Sequence, residues 1–179
     1  IPAGRLGGGP SIQGQGKYKI DAGHSTTIYN GEAVKISSGY VVGGQGSAAD
    51  IIGVLNGIFY NDASTLKPTF ANFYKATITP ANSEDTTAFV IDDPFQLYVV
   101  AADTATGVTT FLETYDMNSS SGDDTTGKSD STLAIGTTSE NDKQFRMLRS
   151  AEDPENEDAT AVRHSVIVVS NLNSFNGHN

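Results

Sequence analysis

The chain has 179 residues and a mass of 18.8 kDa, the size of one domain, and it is long enough to bury a core without disulfides. With 21 acidic against 11 basic residues its net charge is −10, which argues against a nucleic-acid or anionic-membrane binder, whose phosphates demand a basic face. The lack of cysteine excludes disulfide frameworks, Cys-based zinc sites and thiol nucleophiles.

The composition holds 12 Ile, 12 Val and 19 Thr against 8 Leu. β-branched side chains are stiff and suit a pleated surface, so an all-β fold is expected, a single antiparallel β-barrel or sandwich-like domain with an extended N-terminal arm. No apolar run reaches the roughly 18–20 residues that cross a bilayer, so a soluble domain is expected.

Residues 1–16 contain six Gly and two Pro, too many for a stable helix or a central strand, and they read as the arm. The first twenty residues carry Arg5, Lys17 and Lys19 and no acid. A frayed terminus accounts for this composition equally well. The opening IPAGRLGGGP lacks the charged start and apolar stretch of a signal peptide; because the chain does not begin with Met, it is expected to be processed or to lack its first residues.

The β-domain, residues 17–179, begins with the alternating Lys17–Ile20 and a turn at Asp21-Ala22-Gly23. In Thr26–Val42 the dipeptide Asn30-Gly31 predicts a hairpin, with a second turn at Ser37-Ser38-Gly39 before Tyr40-Val41-Val42. Gly43–Asp50 reads as a flexible loop. Ile51–Tyr60 is apolar on both faces and interrupted by Gly53 and Gly57, the pattern of a buried strand that bends or bulges. Turn chemistry fills Asn61–Pro68. In Thr69–Pro80 the spacing of Phe70, Phe73 and Tyr74 fits a helical turn, whereas Thr77-Ile78-Thr79 favours a strand, and the two readings stay open. Ala88–Ala102 reads as two strands pivoting at Asp92-Asp93-Pro94. A stretch rich in Ser, Thr, Gly and Asp follows, with a surface loop at residues 118–130. The strands Lys143–Arg149 and Ala161–Leu172 close the chain around the acidic turn Ala151–Ala159.

No catalytic motif outweighs its structural explanation. Asp92 and Asp93 are adjacent, so their side chains point apart, and a turn before Pro94 accounts for them. The acidic clusters around Asp123, Asp124 and Asp130, and around Glu152 to Asp158, lack the EF-hand spacing and read as solvated charge. His24, His164 and His178 lie far apart with no HExxH spacing. There is no GxSxG elbow, and Gly14-Gln15-Gly16 and Gly44-Gln45-Gly46 lack the third glycine of a dinucleotide fingerprint. Tyr18, Tyr29, Tyr40, Tyr60 and Tyr74 are candidates for a sugar platform, with half-buried packing as their ordinary explanation.

The order of segments resembles the capsid decoration (cement, or head-stabilising) proteins of tailed phages. The phrases that carry the resemblance are the Gly/Pro/Arg-rich Ile1–Gly9, Ile20-Asp21-Ala22-Gly23, and the Ile28–Lys35 phrase "I-x-x-G-x-x-V-x" in the form Ile28-Tyr29-Asn30-Gly31-Glu32-Ala33-Val34-Lys35. They continue with Ile52–Tyr60, one residue shorter before the Tyr than the family phrase, Lys67-Pro68-Thr69-Phe70 and Ala88–Val100. The last are Gln144–Leu148, Asp153–Glu157 and His164–Asn171. The long acidic Ser-rich loop departs from the compact pattern.

This resemblance implies a virion structural protein with no catalytic activity and no cofactor or metal. It would sit on the outer surface of an expanded icosahedral phage capsid and stabilise it against internal DNA pressure. The implied partner is the major capsid protein and the implied oligomer a homotrimer, with neither nucleic acid nor membrane as partner. Arg5, Leu6, Ile12, Lys17 and Lys19 of the arm would make the capsid contacts. Residues 101–179, with 13 acidic and 5 basic residues, would face solvent. The rival readings are a carbohydrate- or receptor-binding β-module of a virion fibre or cell surface, and a tail or head-completion protein.

Overall fold

A computed structural model describes residues 1–7, 14–44, 50–118, 121–136, 142–154 and 158–175. Ile12, most of the Gly43–Asp50 loop, residues 119–120 of the long loop, residues 155–157 of the acidic turn and His178 lie outside the described residues. The strands are β1 (Pro2–Arg5), β2 (Gly16–Ile20), β3 (Ala33–Ser37), β4 (Tyr40–Gly43), β5 (Gly53–Asn61), β6 (Pro68–Ala71), β7 (Thr86–Ile91), β8 (Gln96–Ala101), β9 (Thr114–Tyr115), β10 (Phe145–Ser150) and β11 (Ser165–Ser170). Two single 3-10 turns, Ala81–Ser83 and Val108–Thr110, are the helical elements among the described residues.

The strands form two antiparallel sheets in a sandwich-like arrangement. One has the order β1-β8-β11-β10-β9. The other has the order β2-β7-β5-β3-β4, and β6 pairs with β5 beyond the reach of β3. The second sheet curls until its end strands β2 and β4 approach one another, but it does not close. The chain crosses between the sheets at Asp92–Phe95, which joins β7 to β8.

Two cores follow from the period-2 alternation of three strands. Ala33, Val54 and Ile91 point from β3, β5 and β7 toward the first sheet, meeting Tyr98, Phe145, Met147, Val166 and Val168. Their chain neighbours Val34, Leu55 and Val90 point the other way and join Ile20, Ile28, Val41, Ile58 and Tyr74 inside the curl. The continuous apolar run Ile51–Leu55, which leads into β5, therefore has a core on each face. Gly53 lies where β5 passes closest to β7: a Cβ there would stand 2.1 Å from the Ile91 carbonyl oxygen. Asn56 is extruded as a bulge between Leu55 and Gly57, and the bulge bends β5.

The hairpin in the 26–42 stretch is not at Asn30-Gly31. It is β3–β4, closed at Ser38 (φ 51°) and Gly39 (φ 87°), the pair of positive angles that matches strand twist. Asn30-Gly31 does form a turn, in which the buried Glu32 carboxylate accepts the Tyr29 N–H at 2.8 Å. Its upstream flank does not pair with β3, because Ile28 bridges to Tyr74 and Asn30 to Lys128. The ambiguous 69–80 stretch opens with the end of β6 and continues through that Tyr74 bridge, without a helix.

Candidate docking surface

The segment expected as a free arm starts with a strand laid on the protein's own sheet. As the edge strand of the first sheet, β1 pairs with β8, with Arg5 opposite Gln96 and Gly4 opposite Leu97. The buried Gln96 side chain donates to the Gly4 carbonyl at 2.8 Å, and the Leu6 N–H donates to the Phe95 carbonyl at 2.8 Å. Arg5 donates from Nε to Asp93 Oδ2 at 2.7 Å and from Nη2 to Oδ1 at 3.4 Å. Its guanidinium also lies 5.5 Å from the Phe95 ring centre. Asp93 is 8% exposed in its side chain, Arg5 42%. Burial raises the Asp93 pKa, but the hydrogen bonds from Arg5 and the Phe95 amide, with the Arg5 charge, hold it below the ordinary carboxylate value. Leu6, next in the chain, is exposed.

Lys17 and Lys19 lie on β2, both exposed and both on one face of the sheet. The register sets Lys17 opposite Phe89 and Lys19 opposite Thr87 on β7. Thr87 is in turn opposite Phe59 on β5, and Phe59 is opposite Phe70 on β6. The Lys19 ammonium donates to the Thr87 hydroxyl at 3.1 Å. The Phe59 and Phe70 rings are 4.7 Å apart between centres, and Phe70 and Phe89 are 6.3 Å apart at 19°. Gly57, in line with Phe89, has no side chain, which leaves the diagonal between those rings open.

This face is the same one that packs on the first sheet at the Ala33–Val54–Ile91 end. Phe59, Phe70 and Phe89 lie outside the core between the sheets, and Phe70 on the β5–β6 hairpin is 74% exposed. Charge marks Lys17 and Lys19 in the sequence, whereas the phenylalanines come from three strands and meet only through register. Arg5 and Leu6 lie instead on the first sheet, at the Asp92–Phe95 crossing.

The acidic candidates among the described residues make contacts within the molecule. Asp92 accepts the Tyr18 hydroxyl at 2.7 Å while Asp93 holds Arg5, so the two adjacent carboxylates serve the crossing turn. In the 121–130 part of the long loop, Asp123 accepts from the Thr125 N–H and the Thr126 hydroxyl, and Asp124 accepts the Tyr29 hydroxyl at 2.9 Å. Asp130 pairs with Arg163. Gly122 lies against the Tyr29 ring and Gly127 against the Phe73 ring, so this acidic stretch is packed down by its glycines. Among the described residues no three His, Asp or Glu side chains gather as a metal site. Of the tyrosines, Tyr74 is fully buried, whereas Tyr60 lines an open groove of about 560 Å³ with Asp62, Ser64, Thr77 and Thr79. The Asp62 carboxylate is turned onto its own Ser64 and Thr65, whose hydrogen bonds lower its pKa.

Comparison with family models, with curated proteins and with solved structures gives no match to this chain.

Proposed function

We propose that this chain is a virion structural protein that binds the outer surface of an expanded icosahedral phage capsid and stabilises it against internal DNA pressure. The observation that carries the reading is the Phe59–Phe70–Phe89 face flanked by Lys17 and Lys19, an apolar and basic surface on an otherwise acidic domain. A face of that kind suits a protein partner, and the order of sequence phrases shared with decoration proteins points to the major capsid protein. A ligand that binds only the expanded shell stabilises that state by mass action, and trivalent attachment of a homotrimer raises avidity without new contacts.

The resemblance gives the arm the shell contacts, and the β1 part of that arm is itself laid on the first sheet. β1 already gives one edge to β8, so only its outer edge remains to extend the sheet onto a shell strand. Arg5 is paired with Asp93, whereas among the described residues Lys17 and Lys19 have no carboxylate within 4.0 Å. Heating DNA-filled heads stripped of this protein, with and without added protein, tests the reading. DNA release moves to higher temperature if the protein stabilises the shell, and an unmoved release temperature refutes it. The groove at Tyr60 favours a second reading, a carbohydrate-binding module, and specific binding on a glycan array would support it.

A further inference from the structure

The uncovered end of the second sheet carries a more specific conclusion. Row by row, its outer face presents Lys19, Thr87, Phe59 and Phe70, then Lys17 and Phe89 beside the bare Gly57. The Phe70 ring lies next to both Phe59 and Phe89, yet Phe70 keeps about three quarters of its surface in water. Scattered exposed apolar residues need no explanation, but contiguous rings around an exposed hairpin do. The tip of the same hairpin adds the exposed Leu66. At its other end this face is covered by a packed sheet, so its geometry is already that of a surface that accepts a flat apolar partner.

Charge selects the partner. Among the described residues neither Lys17 nor Lys19 has a carboxylate within 4.0 Å, although acids outnumber bases almost two to one in the chain. A second copy meeting through this face brings the same lysines and rings, so those residues offer Lys17 and Lys19 no opposite charge. A polyphosphate or an anionic lipid surface would meet the lysines but be repelled by the net charge of −10. A protein surface with an apolar centre and a carboxylate rim meets both the rings and the lysines.

We propose that the Lys17–Lys19–Phe59–Phe70–Phe89 face is the docking surface for an apolar, carboxylate-rimmed patch on the shell protein, with the exposed Phe70 of the edge strand β6 as its main aromatic anchor. The identity of that partner rests on the capsid-binding reading above. Aromatic anchors carry most of an interface's affinity, whereas rim charges act through encounter rate and salt dependence.

The test uses the full chain and expanded heads stripped of this protein, with affinity read by co-sedimentation. Phe70→Ser is expected to weaken binding roughly 30-fold or more, a hot-spot effect. The double substitution Lys17→Glu and Lys19→Glu is expected to weaken it and flatten its dependence on salt. Val108→Ser, at an exposed site on another part of the surface, is expected to change nothing. Phe70 is too exposed to hold the fold together, so its variant is expected to keep the wild-type thermal midpoint. Wild type and Phe70→Ser binding heads equally would overturn the docking surface and leave the capsid reading standing. A wild type that binds no heads would overturn the capsid reading and this partner with it. If Phe70→Ser dissociates a wild-type oligomer in light scattering while head binding per subunit is unchanged, the occupant is a second copy and the proposal fails.

Discussion

Replacing Arg5 with Met isolates what holds the N-terminal strand. The side chain keeps its length and apolar stem while Asp93 loses a near-bidentate partner and retains only the Phe95 amide at 3.0 Å. Breaking a fully buried pair costs about 3–5 kcal/mol, and an exposed pair is worth about 0–1 kcal/mol. With one partner almost wholly buried and the other 42% exposed, the expected loss is about 2 kcal/mol. The loss falls on β1 first, because an edge strand can leave β8 while both cores stay intact. The Val99 N–H, which donates to the Ile1 carbonyl at 2.7 Å, reports that departure. Its hydrogen exchange at about pH 7 is expected to quicken roughly 30-fold in the variant, while amides of β11 are unchanged. The pH dependence has a definite sign. In the wild type the Asp93 pKa is depressed below 3.8, so its stabilisation is present above that value and lost as pH falls through the depressed one. In the variant burial is left as the chief influence and raises the pKa, so the strand is penalised as pH rises. The gap between the two proteins therefore narrows in acid. Equal exchange at Val99, or a gap as wide at about pH 3 as at about pH 7, would refute the clamp.

Three further outcomes follow from close contacts and buried hydroxyls. Gly53→Ala places a methyl 2.1 Å from the Ile91 carbonyl oxygen between the two cores, and urea denaturation is expected to show a loss of about 3 kcal/mol. Gly127→Ala meets the Phe73 ring at 2.2 Å with φ at +70°, so limited proteolysis is expected to cut within 121–130 in the variant and spare the wild type. Burial, then the hydrogen bond to Asp92 and its charge, push the Tyr18 pKa up to about 12. The unfolded chain ionises first, so this contribution to stability is present below about pH 10 and is lost as pH rises toward 12; Tyr18→Phe is expected to soften alkaline unfolding.

The β class was legible because stiff Ile, Val and Thr side chains outnumber flexible ones, and β2, β5 and the β7–β8 pivot follow from alternation and turn chemistry. The Asn30-Gly31 hairpin was misread because a local dipeptide sets a turn, not what its flanks pair with; those partners lie at Tyr74 and Lys128. Pairing between distant segments is invisible to any local pattern. β1 therefore read as an arm, although Arg5 finds Asp93 at the far end of β7. The same limit hid the aromatic face. Lys17 and Lys19 stood out by charge, but Phe59, Phe70 and Phe89 come together only once β2, β7, β5 and β6 are in register. The described part of the 118–130 stretch is largely exposed, as a surface loop is, but nothing local shows that Gly122 and Gly127 make room there for Tyr29 and Phe73.

The most direct test of capsid binding is a saturation curve of the purified protein on expanded, undecorated heads, with unexpanded proheads as control. Saturable binding to expanded heads alone is the predicted result. Binding to neither form, or equal binding to both, would contradict a protein that stabilises the expanded shell.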